Sequence, residues 1–270
     1  MSKLPRYVVV EKKVGETPLA ALELFRKREP RLAGSPITYA GRLDPMASGQ
    51  LVLLIGDECK QRDTYTSFDK AYEFEILLGA GTDTGDVLGL PRLSDGVIVS
   101  DEEIENVLHS VLGHTRSPYP AFSSKTIEGK PLFEYTLEGS LDTVEIPQKD
   151  SYIYRLTYLG KREISSSNLL EEIEKKITSL KIDTESTKLG ADFRRGEILE
   201  RWKLLLKDSR ATFSIISCEA TVSSGTYIRT LADVIAQKLG TTGLAYSIHR
   251  TKIGTFRRFF KRFGLWTKVL

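Results

Sequence analysis

The chain has 270 residues, 40% of them hydrophobic, and 39 basic against 36 acidic side chains give a formal charge of +3. That length and apolar content supply one large core or two modest ones, and so even a balance excludes reading a polyanionic partner from net charge alone. The longest strongly apolar run, residues 51–56, is too short to cross a bilayer, and the N-terminus lacks the apolar stretch of a signal peptide, so a cytoplasmic location is expected.

The elements follow in chain order. Thr17 followed by Pro18 reads as an N-cap and first-turn proline, and the helix after it places Leu19, Leu22 and Phe25 on one face. A basic loop follows at residues 26–31. Residues 51–55 form a continuous apolar run ended by Gly56, the pattern of a strand buried on both faces. Residues 72–76 alternate apolar and charged side chains, which predicts a half-buried strand. Ser100 with Glu103 makes a capping box, and Ile104, Val107, Leu108, Val111 and Leu112 keep helical spacing until Gly113. Further helices are predicted over residues 169–180, 198–206 and 230–239, and a strand over 211–222. Strands and helices are interspersed without a strict βαβ rhythm, which predicts a mixed α+β fold. No repeat or long linker divides the chain.

Cys59 and Cys218 are far apart and lack CxxC spacing, so neither a disulfide framework nor a zinc site is supported, and both read as small buried residues. From Arg250 to Leu270 the chain carries seven basic residues, no acidic one, and five aromatics. Such a segment either contacts phosphates and stacks on bases or packs its rings on the core and solvates its charges.

Two stretches concentrate chemistry. In Tyr39-Ala-Gly-Arg-Leu-Asp-Pro-Met-Ala-Ser-Gly49 the one carboxylate is Asp44; Pro45 disfavours a helical backbone there, and Gly41 and Gly49 permit tight turns. Asp-Pro pairs also initiate ordinary turns. In Val222-Ser-Ser-Gly-Thr-Tyr-Ile-Arg229, a strand end turns into a helix with Arg229 near its start. The helix dipole opposes a cation there, so an anionic partner or a surface position accounts for it.

Gly79-Ala-Gly-Thr-Asp-Thr-Gly85-Asp86 is one residue too long for a dinucleotide loop, and as an aspartic-protease signature it lacks a second copy. His109 and His114 are offset by five, the wrong spacing for a two-histidine metal face, and no serine-nucleophile or Walker motif occurs. Neither metal nor cofactor is expected.

Gly41-Arg-Leu-Asp44-Pro-Met-Ala-Ser-Gly49 resembles the G-x-L-D-P-x-A-[ST]-G signature of TruB-type tRNA pseudouridine-55 synthases. In the same order, residues 12–17 are similar to that family's K-P-x-G-x-T segment. Residues 72–89 resemble its strand with a pocket tyrosine followed by G-x-x-T-D-T-x-D-x-x-G. Residues 119–129 resemble P-P-x-[FY]-S-A-x-K-x-x-G, residues 223–232 S-x-G-T-Y-I-R-x-L-A, and residues 249–256 the closing R-x-x-x-G-x-F. The departures are Tyr39 where the family usually has His, Lys12-Lys13 for K-P, Lys125 one residue early and Leu137 for a usual basic residue.

The resemblance implies the pseudouridine synthase fold, a central mixed sheet flanked by helices with an active-site cleft. It implies a catalytic domain over residues 1–256, followed by a short basic aromatic tail, 257–270, without a complete PUA RNA-binding domain. Pseudouridine formation breaks a C–N glycosidic bond and rejoins the base through carbon, which requires an ionised carboxylate and no redox partner. Asp44 is then the expected nucleophile, Arg229 its ion-pair partner, Tyr72 the ring on which the target base stacks, and Leu231 a wall of the pocket. Expected RNA contacts are Tyr39, Arg42, Lys60, Arg257, Arg258, Lys261 and Arg262. The implied partner is the T-arm of tRNA, read by a monomer through loop shape and phosphates with the uridine flipped out. A non-catalytic RNA-binding module and an RNA-guided ribosomal-RNA synthase are the alternatives.

Overall fold

The computed structural model describes residues 5–94, 97–181, 192, 194–207, 209–260 and 263–270, with Phe260 and Phe263 described by backbone alone. Strand β1 (Tyr7–Lys12) leads to α1 (Pro18–Arg28), where the Ala20 amide donates to Thr17 Oγ1 at 3.1 Å, as the Thr-Pro signal predicts. The buried face of α1 is narrower than expected. Ala21 and Leu22 are buried, while Leu19 is 58% exposed because its side of the helix meets no other element among the described residues. Arg26 to Arg28 close α1 rather than forming a loop.

Strand β2 (Ile37–Ala40) and strand β3 (Ala47–Ile55) pair antiparallel, and β3 pairs in turn with β1. Leu51 and Leu53 pack toward α1 while Val52 and Leu54 pack toward Tyr65, which confirms a strand covered on both sides. A short helix α2 (Arg62–Thr66) precedes β4 (Asp69–Leu78), the strand at the middle of the sheet. Its Tyr72, Phe74, Ile76 and Leu78 share one buried face, as the alternation predicts, and Glu73 stays exposed. Strands β5 (Ala80–Thr82) and β6 (Pro91–Leu93) form a small separate ribbon.

Helix α3 (Asp101–Ser110) begins with the expected capping box, the Ser100 amide donating to Glu103 at 2.7 Å. Strand β7 (Gly113–Pro118) is followed by the ribbon of β8 (Thr126–Ile127) and β9 (Lys130–Pro131) and by α4 (Leu132–Leu137). Strand β10 (Gln148–Ser165), α5 (Ser166–Thr178), α6 (Arg195–Leu206), β11 (Thr212–Val222) and α7 (Ile228–Lys238) come next. The chain ends in β12 (Gly243–Phe260) and β13 (Phe263–Val269), an antiparallel pair.

The main sheet runs β1-β3-β12-β4-β11-β10-β7, with β2 and β13 attached to β3 and β12. Among these pairings only β12 with β3 is parallel, so the sheet is mixed. Helices α3 and α7 cover one face through Ile104, Leu108, Ile228, Leu231 and Ile235; α5 and α6 cover the other through Leu169, Ile173, Ile198 and Trp202. This is the α+β arrangement that the interspersed elements predict, and no helix among the described residues is long and apolar enough to cross a membrane.

Burial leaves several ionisable groups out of their ordinary range. Chiefly through desolvation, Lys70 is lowered to about 7 and Lys12 and Lys176 to about 8. In the unfolded chain a lysine keeps its proton to about pH 10.4, so between about pH 7 and 10 the unfolded state binds more protons and stability rises with pH. Burial pushes Cys218 and Tyr227 up to about 12, so above about pH 9 the unfolded state sheds their protons first and stability falls. A urea midpoint higher at pH 8.5 than at pH 7, declining again by pH 11, is the expected profile. A steady decline from pH 7 would contradict the burial of these lysines.

Candidate active site

Asp44 lies on an arch between β2 and β3. Gly41 and Gly49 at its ends have φ of +71° and +109°, the left-handed backbone that favours glycine, and the Ala47 amide closes a turn onto the Asp44 carbonyl at 3.0 Å. A Cβ at Gly49 would sit 2.3 Å from the Arg250 carbonyl oxygen, so the arch lies directly on β12. Buried cations hold it from beneath. Lys12 Nζ donates to the carbonyls of Ala47 at 2.6 Å and Pro45 at 3.4 Å, and the Arg250 guanidinium donates to those of Gly41, Arg42 and Gln50.

Arg229 arrives from the first turn of α7, as its position after the Gly225 turn suggests. Its Nε donates to Asp44 Oδ2 at 2.7 Å and Nη2 to Asp44 Oδ1 at 3.4 Å, a two-point contact that fixes the carboxylate plane. Nη2 also donates to the Phe122 carbonyl at 3.0 Å, and Nη1 to the Thr84 carbonyl. Of the two readings of the helix start, an anionic partner or a surface position, the structure gives the first: the partner is Asp44, with Asp86 Oδ2 a second at 3.8 Å. Side-chain exposures of 5% for Arg229, 7% for Asp86 and 38% for Asp44 separate two buried members from one open to an incoming molecule.

One guanidinium faces two carboxylates, so the cluster carries net charge −1 when both are ionised. Burial, reinforced by the Asp44 charge, raises the Asp86 pKa despite the opposing pull of Arg229. Burial works against the charge of Arg229, yet the two carboxylates outweigh it and its pKa is raised. Thr84 Oγ1 and the Leu88 amide both donate to Asp86 Oδ1 at 2.9 Å, which fixes the direction of the buried carboxylate.

Aromatic rings flank this group. Tyr227, the N-cap of α7, meets Tyr119 edge-to-face at 5.9 Å, and its hydroxyl is pushed up to about 12 by burial, Tyr119 and Asp44. Lys125 sits over the Tyr119 ring at 5.3 Å. Tyr72 is largely buried in the same cluster as Leu43 and Leu231, so two of the expected pocket residues share the apolar ground beside Asp44.

Other expected residues are more scattered. Arg42 is exposed beside Asp44, and Lys60 is exposed and paired with Asp57 at 2.8 Å. Tyr39 packs on the cluster beneath α1, on the opposite side of β2 from Ala40, because neighbouring residues of a strand face opposite ways. Arg257 and Arg258 continue β12 and pair with β13, and Arg258 lies over the Tyr152 ring at 4.8 Å. Lys261 and Arg262 lie outside the described residues. Sequence reasoning did not single out Asp86, Tyr227 or Phe122 as site residues, although the T-D-T-x-D, G-T-Y-I-R and P-P-x-[FY]-S motifs contain them; Phe122 reaches Arg229 through its carbonyl.

Residues 31–179 match the family model described as TruB family pseudouridylate synthase (N terminal domain). Over 249 residues the chain is 28% identical to the tRNA pseudouridine synthase B of Caldicellulosiruptor saccharolyticus, covering 92% of this chain and 67% of that protein. Over 260 residues it is 30% identical to the enzyme of the same name from Azoarcus sp., covering 94% and 68%. A chain in the crystal structure of a Cbf5-Nop10-Gar1 complex superposes with a TM-score of 0.54 at 15% identity, over 92% of this chain and 48% of that one, which shows a shared fold. The chain thus spans about two thirds of these curated relatives and about half of the solved one. With the family model matched over more than half its length and the Asp44–Arg229 pair standing where the two motifs meet, this chain belongs to the TruB family of pseudouridylate synthases.

Proposed function

We propose that this protein converts uridine to pseudouridine at position 55 in the T-arm loop of tRNA, with Asp44 as the reacting carboxylate. The observation that carries the reading is the pairing of a partly open Asp44 with a buried Arg229 whose remaining bonds run to the carbonyls of Thr84 and Phe122. A carboxylate so held is oriented before substrate arrives, and orientation is a large part of what a catalytic group contributes.

The reaction breaks the N1–C1′ bond, turns the uracil, forms C5–C1′, and transfers the C5 proton away while N1 gains one. Atoms and electrons balance within the nucleoside, so no cofactor is required. The uridine leaves its loop to reach Asp44, and Tyr72, Tyr227 and Leu231 supply apolar and aromatic surface for the extruded base. Arg42, exposed beside Asp44, and Arg257 and Arg258 at the end of β12 supply phosphate contacts.

Single-turnover assay on unmodified tRNA tests the reading. Pseudouridine is expected at position 55, and equally in an isolated T-arm stem-loop. Binding of both RNAs with no modified base would favour the non-catalytic module; modification that required an added guide RNA would favour the guided synthase.

A further inference from the structure

We infer that Arg250 is a positioning residue for Asp44, gripping the arch by its backbone on both sides of the catalytic carboxylate. This inference rests on the reading of Asp44 as the reacting group.

Arg250 is 1% exposed and stands in the middle of the sheet, its backbone opposite Gly49 on β3 and Tyr72 on β4. Its Nε donates to the Gln50 carbonyl at 2.7 Å, Nη2 to Gly41 at 3.0 Å and Nη1 to Arg42 at 3.3 Å. Gly41 and Arg42 enter the arch and Gln50 leaves it, so a single planar fork ties together the two legs of the loop that carries Asp44. Among the described residues no carboxylate lies within ion-pair distance of Arg250. All three of its hydrogen bonds go to backbone carbonyls.

Burying a guanidinium without a counter-ion is costly, and an apolar side chain would fill the same space without that cost. What the apolar side chain lacks is the set of donors at fixed angles. Lysine would also fall short, since a point charge on a flexible stem cannot reach three acceptors in a fixed plane. Lys12 reaches the carbonyls of Pro45 and Ala47 from the N-terminal strand, so Asp44 stands between the two grips. A shift of the arch moves the carboxylate as a body, and a displacement of about 1 Å costs about 10²-fold in rate.

The test compares wild type with Arg250→Lys and Arg250→Met in single-turnover pseudouridine formation, tRNA binding and amide hydrogen exchange. For Arg250→Lys the expected result is a rate lower by about 10²-fold that saturating tRNA does not restore, with tRNA affinity within about threefold of wild type. The Ala47 amide, which closes the arch, exchanges faster, while that of Leu77 in the central strand keeps its protection. A folded Arg250→Lys with wild-type rate, or a loss confined to tRNA affinity, would overturn the inference. Should Arg250→Met fail to fold, Arg250→Lys decides alone. An inactive wild type would refute the proposed function instead, and the exchange comparison would still report whether Arg250 holds the arch.

Discussion

Asp44→Asn is expected to yield a folded protein that binds tRNA and forms no measurable pseudouridine, a loss of at least about 10⁴-fold in single-turnover rate, the scale on which removal of a nucleophile falls. Asparagine keeps the shape and can still accept from Arg229 Nε through its amide oxygen, so the contact now 2.7 Å long survives in weakened form. Asp86 remains as counter-ion to the buried guanidinium, so the cost in stability stays well below that of stranding a charge. What disappears is the anion. Unmodified tRNA quantified by mass spectrometry, alongside a binding isotherm, separates these effects. Product formation within tenfold of wild type would remove Asp44 from the chemistry.

Arg229→Met carries the second largest expected effect, and it acts on stability as well as rate. The guanidinium touches Asp44, the carbonyls of Thr84 and Phe122, and lies 3.8 Å from Asp86. Methionine fills the volume but leaves the buried Asp86 without its cation and two carbonyls without a donor. Breaking a buried pair from one side costs about 3–5 kcal/mol. Here protonation of Asp86, whose pKa burial already raises, reduces that figure. The expected outcome is destabilisation by about 2–4 kcal/mol in urea unfolding, together with a rate loss of about 10²–10³-fold. Asp86→Asn combined with Arg229→Met recovers part of the stability and none of the rate, because the orphaned charge is gone while Asp44 stays unoriented. Full activity in the single variant would show that Asp44 needs no cation.

How much of this was legible depends on the distance over which each residue's partners lie. The Thr17 cap, the Ser100 capping box, the alternating face of β4 and the apolar β3 are set by neighbours within a few positions, and each formed as its pattern predicts. The arch was legible for the same reason: Pro45 and the two glycines dictate a non-helical bend locally, and the bend isolates one carboxylate. Arg229 at a helix start pointed to an anionic partner or a surface position, and the fold chose the first. Leu19 and Tyr39 show the limit. A helical or alternating pattern says which residues share a face but not whether anything covers that face, and only the packing of α1 on β1 to β3 left Leu19 in solvent and turned Tyr39 inward.

The sequence by itself determined the family resemblance, the α+β class, the bend around Asp44 and the place of Arg229 at a helix start. Each follows from short-range backbone preference or from the character of a single side chain. Tertiary structure alone decided which carboxylates meet the guanidinium, since Asp44 and Arg229 are separated by 185 positions and come together only when the sheet brings the arch and the start of α7 to one place. It also decided the fate of Lys12 and Arg250. In a sequence a cation reads as solvated, and these two became buried clamps among backbone carbonyls that water would otherwise have satisfied: Arg250 because β12 pairs between β3 and β4, and Lys12 because β1 pairs along β3 and sets it beside Pro45 and Ala47.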